Sequence, residues 1–144
     1  MSARLAMAIA LLVAKLASAG DLASPELPSG GLLNHGSLAT VSQSGAANTI
    51  TLAQRGSADR LSAAQRGRQN TATVQQEGYA NSVELQQEGK GNSATIVQIG
   101  TGNSALVDQQ GIANSARIEQ YGHDASASVT QTGNGKRAVV IQHR

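Results

Sequence analysis

From residue 37 onward, apolar and polar positions alternate along the chain, and the alternation restarts on a fixed step of eleven residues. Counting by twos through each unit gives Ile50, Leu52, Gln54, then Leu61, Ala63, Gln65, then Ala72, Val74, Gln76, then Val83, Leu85, Gln87. The triplets continue as Ala94, Ile96, Gln98; Ala105, Val107, Gln109; Ala116, Ile118, Gln120; Ala127, Val129, Gln131; and Ala138, Val140, Gln142. A partial first unit supplies Ala39, Val41 and Gln43. All thirty positions are apolar or Gln, and none is charged. Thr49, Thr51, Arg60, Glu84, Asp108, Arg117 and Glu119 stand between them. Such alternation predicts half-buried strands with the triplets facing inward. An eleven-residue period can also mark a right-handed helical supercoil. A Gly in every unit, with Asn nearby, argues against continuous helix.

The punctuation keeps the same step. Gly45, Gly56, Gly67, Gly78, Gly89, Gly100, Gly111, Gly122 and Gly133 recur without a slip. Five residues after the glutamines come Asn48, Asn70, Asn81, Asn92, Asn103 and Asn114, with Asp59, Ala125 and Lys136 in the remaining units. Each unit therefore reads as a strand of about six residues and a turn in which Gly permits positive φ. Two units form one coil of strand, arc and strand, and equivalent strands of successive coils stack in parallel at about 4.8 Å. The expected fold is all-β: a parallel two-sheet β-solenoid of about five coils, roughly 24 Å tall, with an amyloid-like cross-β arrangement.

This stacking explains why an inward row ends in Gln. Residues 22 apart lie above one another, so Gln43, Gln65, Gln87, Gln109 and Gln131 form one column. Gln54, Gln76, Gln98, Gln120 and Gln142 form the other. A primary amide carries two donors and an acceptor, so each can bond the amides above and below. A lone buried Gln would be costly, whereas a column satisfies itself except at its ends. The Asn residues are expected to stack likewise at the strand starts. No polar capping repeat is evident at either end of the register. The last strand carries outward Val139 and Ile141 beside inward Ala138 and Val140. With Lys136, Arg137 and Arg144 it forms a candidate templating and anchoring edge.

Composition alone would point elsewhere. Leu, Ile and Val supply only 23 of the 125 residues from Gly20 onward, a disorder-like fraction that the ordered register overrides. Residues 1–19 have the layout of a secretory signal: basic Arg4, an apolar run over residues 5–14, and Ala17-Ser18-Ala19 before the expected cleavage. That run is about half the length of a membrane span. Without residues 1–19 the chain has nine Lys+Arg against nine Asp+Glu, so the basic balance does not imply nucleic-acid binding. Phe and Trp are absent, which removes a base-stacking platform as well. There is no Cys, although small exported proteins often use disulfides.

Chemistry-bearing residues are sparse. His35, His123 and His143 lie far apart in the register, and no inward row holds a titratable group, so neither an enzyme, a metal site nor a cofactor is expected. An ice-binding solenoid is the best rival of another class, because Thr49 and Thr51 stack with Thr71 and Thr73. The column then decays to Ser93 and Thr95, Ser115 and Arg117, and Arg137 and Val139, which is no flat Thr array. Calcium-binding Gly-Gly-x-Gly-x-Asp repeats are absent.

The spacing Ser37, Gln43, Gly45, Asn48, Gln54 resembles the bacterial curlin repeat, Ser-x5-Gln-x-Gly-x2-Asn-x-Ala-x3-Gln, with Ile50 in place of Ala. Asn81, Gln87, Gly89, Asn92, Ala94 and Gln98 fit it again, with Asn81 at the Ser position. The resemblance spans residues 37–144, about three quarters of the chain. It implies a secreted structural amyloid of curli surface fibres, without a cofactor. Asp21-Leu22-Ala23 and the basic ending of residues 138–144 are most similar to the minor subunit, which nucleates the major curlin at the outer surface; the final repeat is shortened here. The implied partners are the major curlin subunit, further copies of the chain, the bacterial outer surface, and an outer-membrane secretion pore with accessory factors. Residues 20–36 would be the targeting segment. The alternative within the family is the major fibre subunit. Basic residues after Asp124 would hold the last coil near anionic surface groups.

Overall fold

The computed structural model describes residues 9–16 and 36–144. The expected cleavage site at residues 17–19, His35 and nearly all of the 20–36 segment lie outside the described residues. Strand β1 spans Ile9–Leu16. Ten strands then follow in unbroken succession: β2 (Leu38–Ala46), β3 (Asn48–Ser57), β4 (Arg60–Arg68), β5 (Thr71–Tyr79) and β6 (Ser82–Lys90). The second half comprises β7 (Ser93–Thr101), β8 (Ser104–Ile112), β9 (Ser115–His123), β10 (Ser126–Asn134) and β11 (Arg137–His143).

Odd and even strands go to different sheets. One sheet runs β1-β3-β5-β7-β9-β11 and the other β2-β4-β6-β8-β10. From β2 onward every neighbouring pair is parallel with a register of 22 residues, so that Leu61 lies beside Val83 and Val83 beside Ala105. The chain crosses between sheets after each strand, and β2 with β3 makes the first coil of a two-sheet β-solenoid that closes with β10 and β11.

The inward triplets line the space between the sheets. Val41, Ala63, Leu85, Val107 and Val129 form the middle column of one sheet, and Leu52, Val74, Ile96, Ile118 and Val140 that of the other. Each buried aliphatic side chain of this size contributes about 1.5–3 kcal/mol through removal from water. Strands β2 and β11 have a neighbouring strand on one side only, and their Ala39, Val41, Ala138 and Val140 are accordingly only partly buried.

Two features differ from the sequence-based expectation. Most strands are nine residues long rather than about six, because ladder pairing continues past the Gln and through the glycine: Gly78 pairs with both Gly56 and Gly100. The tight left-handed residue of each arc falls two places later, at Ala47, Ala58, Gln69, Ala80, Gly91, Gly102, Ala113, Asp124 and Gly135, with φ between 52° and 69°. The nine repeating glycines keep positive φ of 108–128° at the strand corner, and at all of them but Gly133 the backbone of the next coil also leaves no room for a Cβ. A Cβ on Gly100 would lie 1.9 Å from the Gly122 carbonyl oxygen of the next coil.

The second difference concerns the ends. Strand β1 lies antiparallel on β3, from Ile9 beside Arg55 to Leu16 beside Asn48, and covers that edge of its sheet. The covering strand comes from the apolar run that the sequence marks as a leader. The outer edges of β2, β10 and β11 have no strand beside them among the described residues.

Candidate functional site

The repeating side chains assemble into two continuous amide ladders. In the first, Nε2 of Gln43 donates to Oε1 of Gln65 at 2.7 Å, Gln65 to Gln87 at 2.7 Å, Gln87 to Gln109 at 2.8 Å and Gln109 to Gln131 at 2.8 Å. In the second, Gln54 donates to Gln76 at 2.8 Å, Gln76 to Gln98 at 3.0 Å, Gln98 to Gln120 at 2.9 Å and Gln120 to Gln142 at 3.0 Å. The in-register 22-residue step brings each amide within reach of the next.

Every bond points the same way, toward the C-terminal coil. Amide dipoles aligned head to tail polarise one another and strengthen the chain of bonds. The remaining Nε2 proton reaches across the core to a backbone carbonyl at the start of a strand in the opposite sheet. Gln65 bonds Thr49 O at 3.1 Å and Gln76 bonds Arg60 O at 3.1 Å, and the pattern repeats to Gln131 with Ser115 O and Gln142 with Ser126 O. The ladders therefore join coil to coil and sheet to sheet. Beyond Ile50, the column facing the first ladder is made of small residues, Ala72, Ala94, Ala116 and Ala138.

Polarity makes the two ends chemically different. At the first coil, Oε1 of Gln43 and Oε1 of Gln54 have no donor. At the last, the coil-to-coil Nε2 protons of Gln131 and Gln142 have no next amide to meet, since each makes only its cross-sheet bond.

The Asn residues also stack in columns, but they do not form the amide-to-amide ladder expected of them. Asn is one methylene shorter, so its amide lies against the backbone of the arc. Asn92 Nδ2 donates to Glu88 O at 3.0 Å and to Gly111 O at 3.1 Å, and its Oδ1 accepts the backbone N–H of Asn114 at 3.0 Å. Asn48, Asn70, Asn81, Asn103 and Asn114 repeat these contacts, so each ties its own strand end to the coil above. Ala125 and Lys136, in the last coil, offer no side-chain oxygen to a further coil.

Asp59 is the exception inside the columns. It is fully buried at 0 % exposure, and its Oδ1 accepts from Asn81 N at 2.9 Å and Asn81 Nδ2 at 3.1 Å. Its Oδ2 has no partner. Burial pushes the carboxyl above the ordinary aspartate range, against the lowering effect of the two Asn81 hydrogen bonds.

On the outer faces, the register turns sequence blocks of charge into neighbours. Arg55 lies beside Glu77 and Arg66 beside Glu88, while Arg68 lies beside Lys90. Arg117 and Glu119 form an ion pair on β9. On the terminal strand Val139 is 49 % and Ile141 54 % exposed, and the His143 ring stacks on Tyr121 with centroids 5.0 Å apart. The structure thus gathers Lys136, Arg137, Val139, Val140, Ile141 and Arg144 on or beside an open edge strand. No group of three or more His, Asp or Glu among the described residues is placed to hold a metal ion.

No curated protein and no solved structure matches the chain. The family model described as curlin associated repeat matches four times, at residues 56–89, 78–111, 100–133 and 113–143, which together cover more than half of the chain. The first three matches begin 22 residues apart, the same step that relates neighbouring strands within each sheet. The chain therefore belongs to the curlin associated repeat family, as an amyloid structural protein of the curli type built as a β-solenoid.

Proposed function

We propose that this chain is secreted to the bacterial cell surface and acts there as the minor subunit that starts polymerisation of a major curlin. The observation that carries this reading is the open β11 edge, with exposed Val139 and Ile141 on its outer face and an amide donor of Gln142 turned to the next coil. An unpaired parallel strand with an unfinished ladder is a template for an incoming strand of the same repeat. Lys136, Arg137, His143 and Arg144 follow Asp124 without an acid, which supports retention near anionic surface groups. The leader reading of residues 1–19 supports export, and removal of β1 with that leader would also uncover the edge of β3. The secretion pore and its accessory factors are partners in the same proposal.

The test is to add sub-stoichiometric, preassembled protein to a major curlin and time the lag before thioflavin-positive fibres appear. Shortening of the lag is the expected result; an unchanged lag overturns the nucleator role. Deleting residues 138–144 should lower both surface retention and seeding, and unchanged values for both would remove the role of this edge.

A second reading, the major fibre subunit, is favoured by the matching polarity of the ends. The unused donors of Gln131 and Gln142 on one copy suit the unused acceptors of Gln43 and Gln54 on the next. A purified chain that forms long fibres alone yet leaves the lag of a second curlin unchanged would favour that reading.

A further inference from the structure

We propose that Asp59 is a proton-binding position of the solenoid: it is held in the folded stack as the neutral acid, whose Oδ2–H takes the place of an arc Asn amide. The argument comes from comparing equivalent arcs. Everywhere else in the interior of the two columns the residue at this position is Asn, and its Nδ2 bridges the carbonyl four residues earlier to the glycine carbonyl 19 residues later. By the same register the carbonyls that await the side chain at position 59 are those of Arg55 and Gly78. An ionised carboxylate has no proton to give them. It would bring a negative oxygen against two carbonyl oxygens in a site with no exposure to water.

Protonation removes the conflict with a single hydrogen. Oδ1 continues to accept from Asn81 N and Nδ2, as Asn70 Oδ1 accepts from Asn92 N, and the protonated Oδ2 becomes a donor to one of the two carbonyls. Solvent supplies the proton, which returns to solvent when the coil opens above the ordinary aspartate pKa. The unpartnered Oδ2 is the mark of this missing hydrogen.

Charged neighbours do not replace it. Among the described residues, the charged ones nearest in sequence or register are Arg55 on β3, Arg60 on β4 and Glu77 on β5, all at outward positions of the alternation, with Tyr79 exposed at the end of β5; Arg66, Arg68, Glu84, Glu88 and Lys90 lie further along β4 and β6, also at outward or end positions. On the side of the first coil, the Ser37 hydroxyl accepts the Asp59 backbone N–H at 3.2 Å, and Leu38 follows it. On the far side are Asn81 and Ser82, neither of which titrates.

The sign follows from linkage. The folded-state pKa lies above the unfolded one, so stability is full below about pH 4, the unfolded aspartate value. It then falls as pH rises, until the folded carboxyl itself ionises. This rests on the solenoid register and not on the fibre role, so failure of one leaves the other standing.

The experiment measures the denaturant midpoint of the full-length chain and its Asp59→Asn and Asp59→Ala variants across mildly acidic to neutral pH. The remaining acids and histidines are common to all three chains and cancel in the differences. Relative to Asp59→Asn, the unaltered chain should lose up to about tenfold in folding constant per pH unit above about pH 4, then level off. Asp59→Asn should be the more stable chain at neutral pH, and Asp59→Ala should be less stable than the parent in acid, where the acceptor for Asn81 is missing. Infrared difference spectra of the folded parent against Asp59→Asn should show the carbonyl stretch of a protonated acid at pH values where free aspartate is ionised. Parallel pH curves for parent and Asp59→Asn, or absence of that band, would overturn the proposal. It also fails if neutral-pH stability of the parent alone rises with sodium or calcium, since a cation would then fill the site.

Discussion

Gln86 and Gln87 are adjacent, chemically identical and on opposite faces of β6, which makes them a controlled test of the ladders. Gln86 is exposed, whereas Gln87 is buried at 1 % exposure. Gln87 accepts from Gln65 Nε2 at 2.7 Å and donates to Gln109 Oε1 at 2.8 Å and Thr71 O at 3.2 Å. Replacing it by Leu keeps the volume but strands a donor on Gln65 and an acceptor on Gln109. Each buried orphan costs about 1–3 kcal/mol, and Leu returns about 1 kcal/mol by burying apolar surface where the amide was. The expected net loss for Gln87→Leu is about 1–5 kcal/mol, a fall in midpoint temperature of roughly 5–30 °C for a domain of this size. Gln86→Leu, on the solvated face, should change stability by less than about 0.5 kcal/mol. Denaturant unfolding of both variants, followed by the β signal in circular dichroism, gives the comparison. If the two variants agree to within about 0.5 kcal/mol, the size of an ordinary surface change, the buried amides are not held by one another and the ladder account is wrong.

The arcs and columns make further contrasts. Gly100→Ala places a Cβ against Gly122 O and should cost more than about 3 kcal/mol, since backbone and not a flexible side chain must move. Gly91→Ala should stay within about 1 kcal/mol of the parent, because nothing lies within 4 Å of its Cβ and Ala47, Ala58, Ala80 and Ala113 already hold that conformation; thermal melts of the pair decide. Asn92→Asp would copy the Asp59 arrangement one column over. It should lower stability at neutral pH and recover part of it in acid, and a pH-independent loss would show that the two arcs are not equivalent. Val139→Lys with Ile141→Lys should leave the monomer's unfolding midpoint nearly unchanged while slowing seeding of a major curlin, measured as a longer thioflavin lag.

Much of this molecule is legible before folding because its order is carried by short-range repetition. Period-two alternation states which side chains face inward, and an eleven-residue unit that occurs ten times states which residues will share a column. Gln109 and Gln120 could thus be assigned to separate ladders from spacing alone. The positions of the arcs were less legible. Gly100 and Gly111 look like turn residues in sequence, yet they sit within strands, and the left-handed conformation falls on Gly102 and Ala113. Alanine gives no turn signal, because its left-handed conformation here is imposed by the pairing of the strands on either side.

The sequence by itself determined the period, the inward face, the two Gln columns and the apolar character of the final strand. Each of these follows from residue type at fixed spacing, which survives in any stacked arrangement of the repeats. Only the tertiary structure decided the single direction of the ladders and the cross-sheet bond from Gln65 to Thr49, because an amide's orientation depends on partners 16 and 22 residues away. It also decided that Asn92 serves the backbone while Gln98 serves its own kind, a difference of one methylene measured against a neighbouring coil. The same holds for Asp59, an unremarkable acid in the sequence. Its Oδ2 is left without a partner only because the coils above and below shut out the water that would otherwise solvate it.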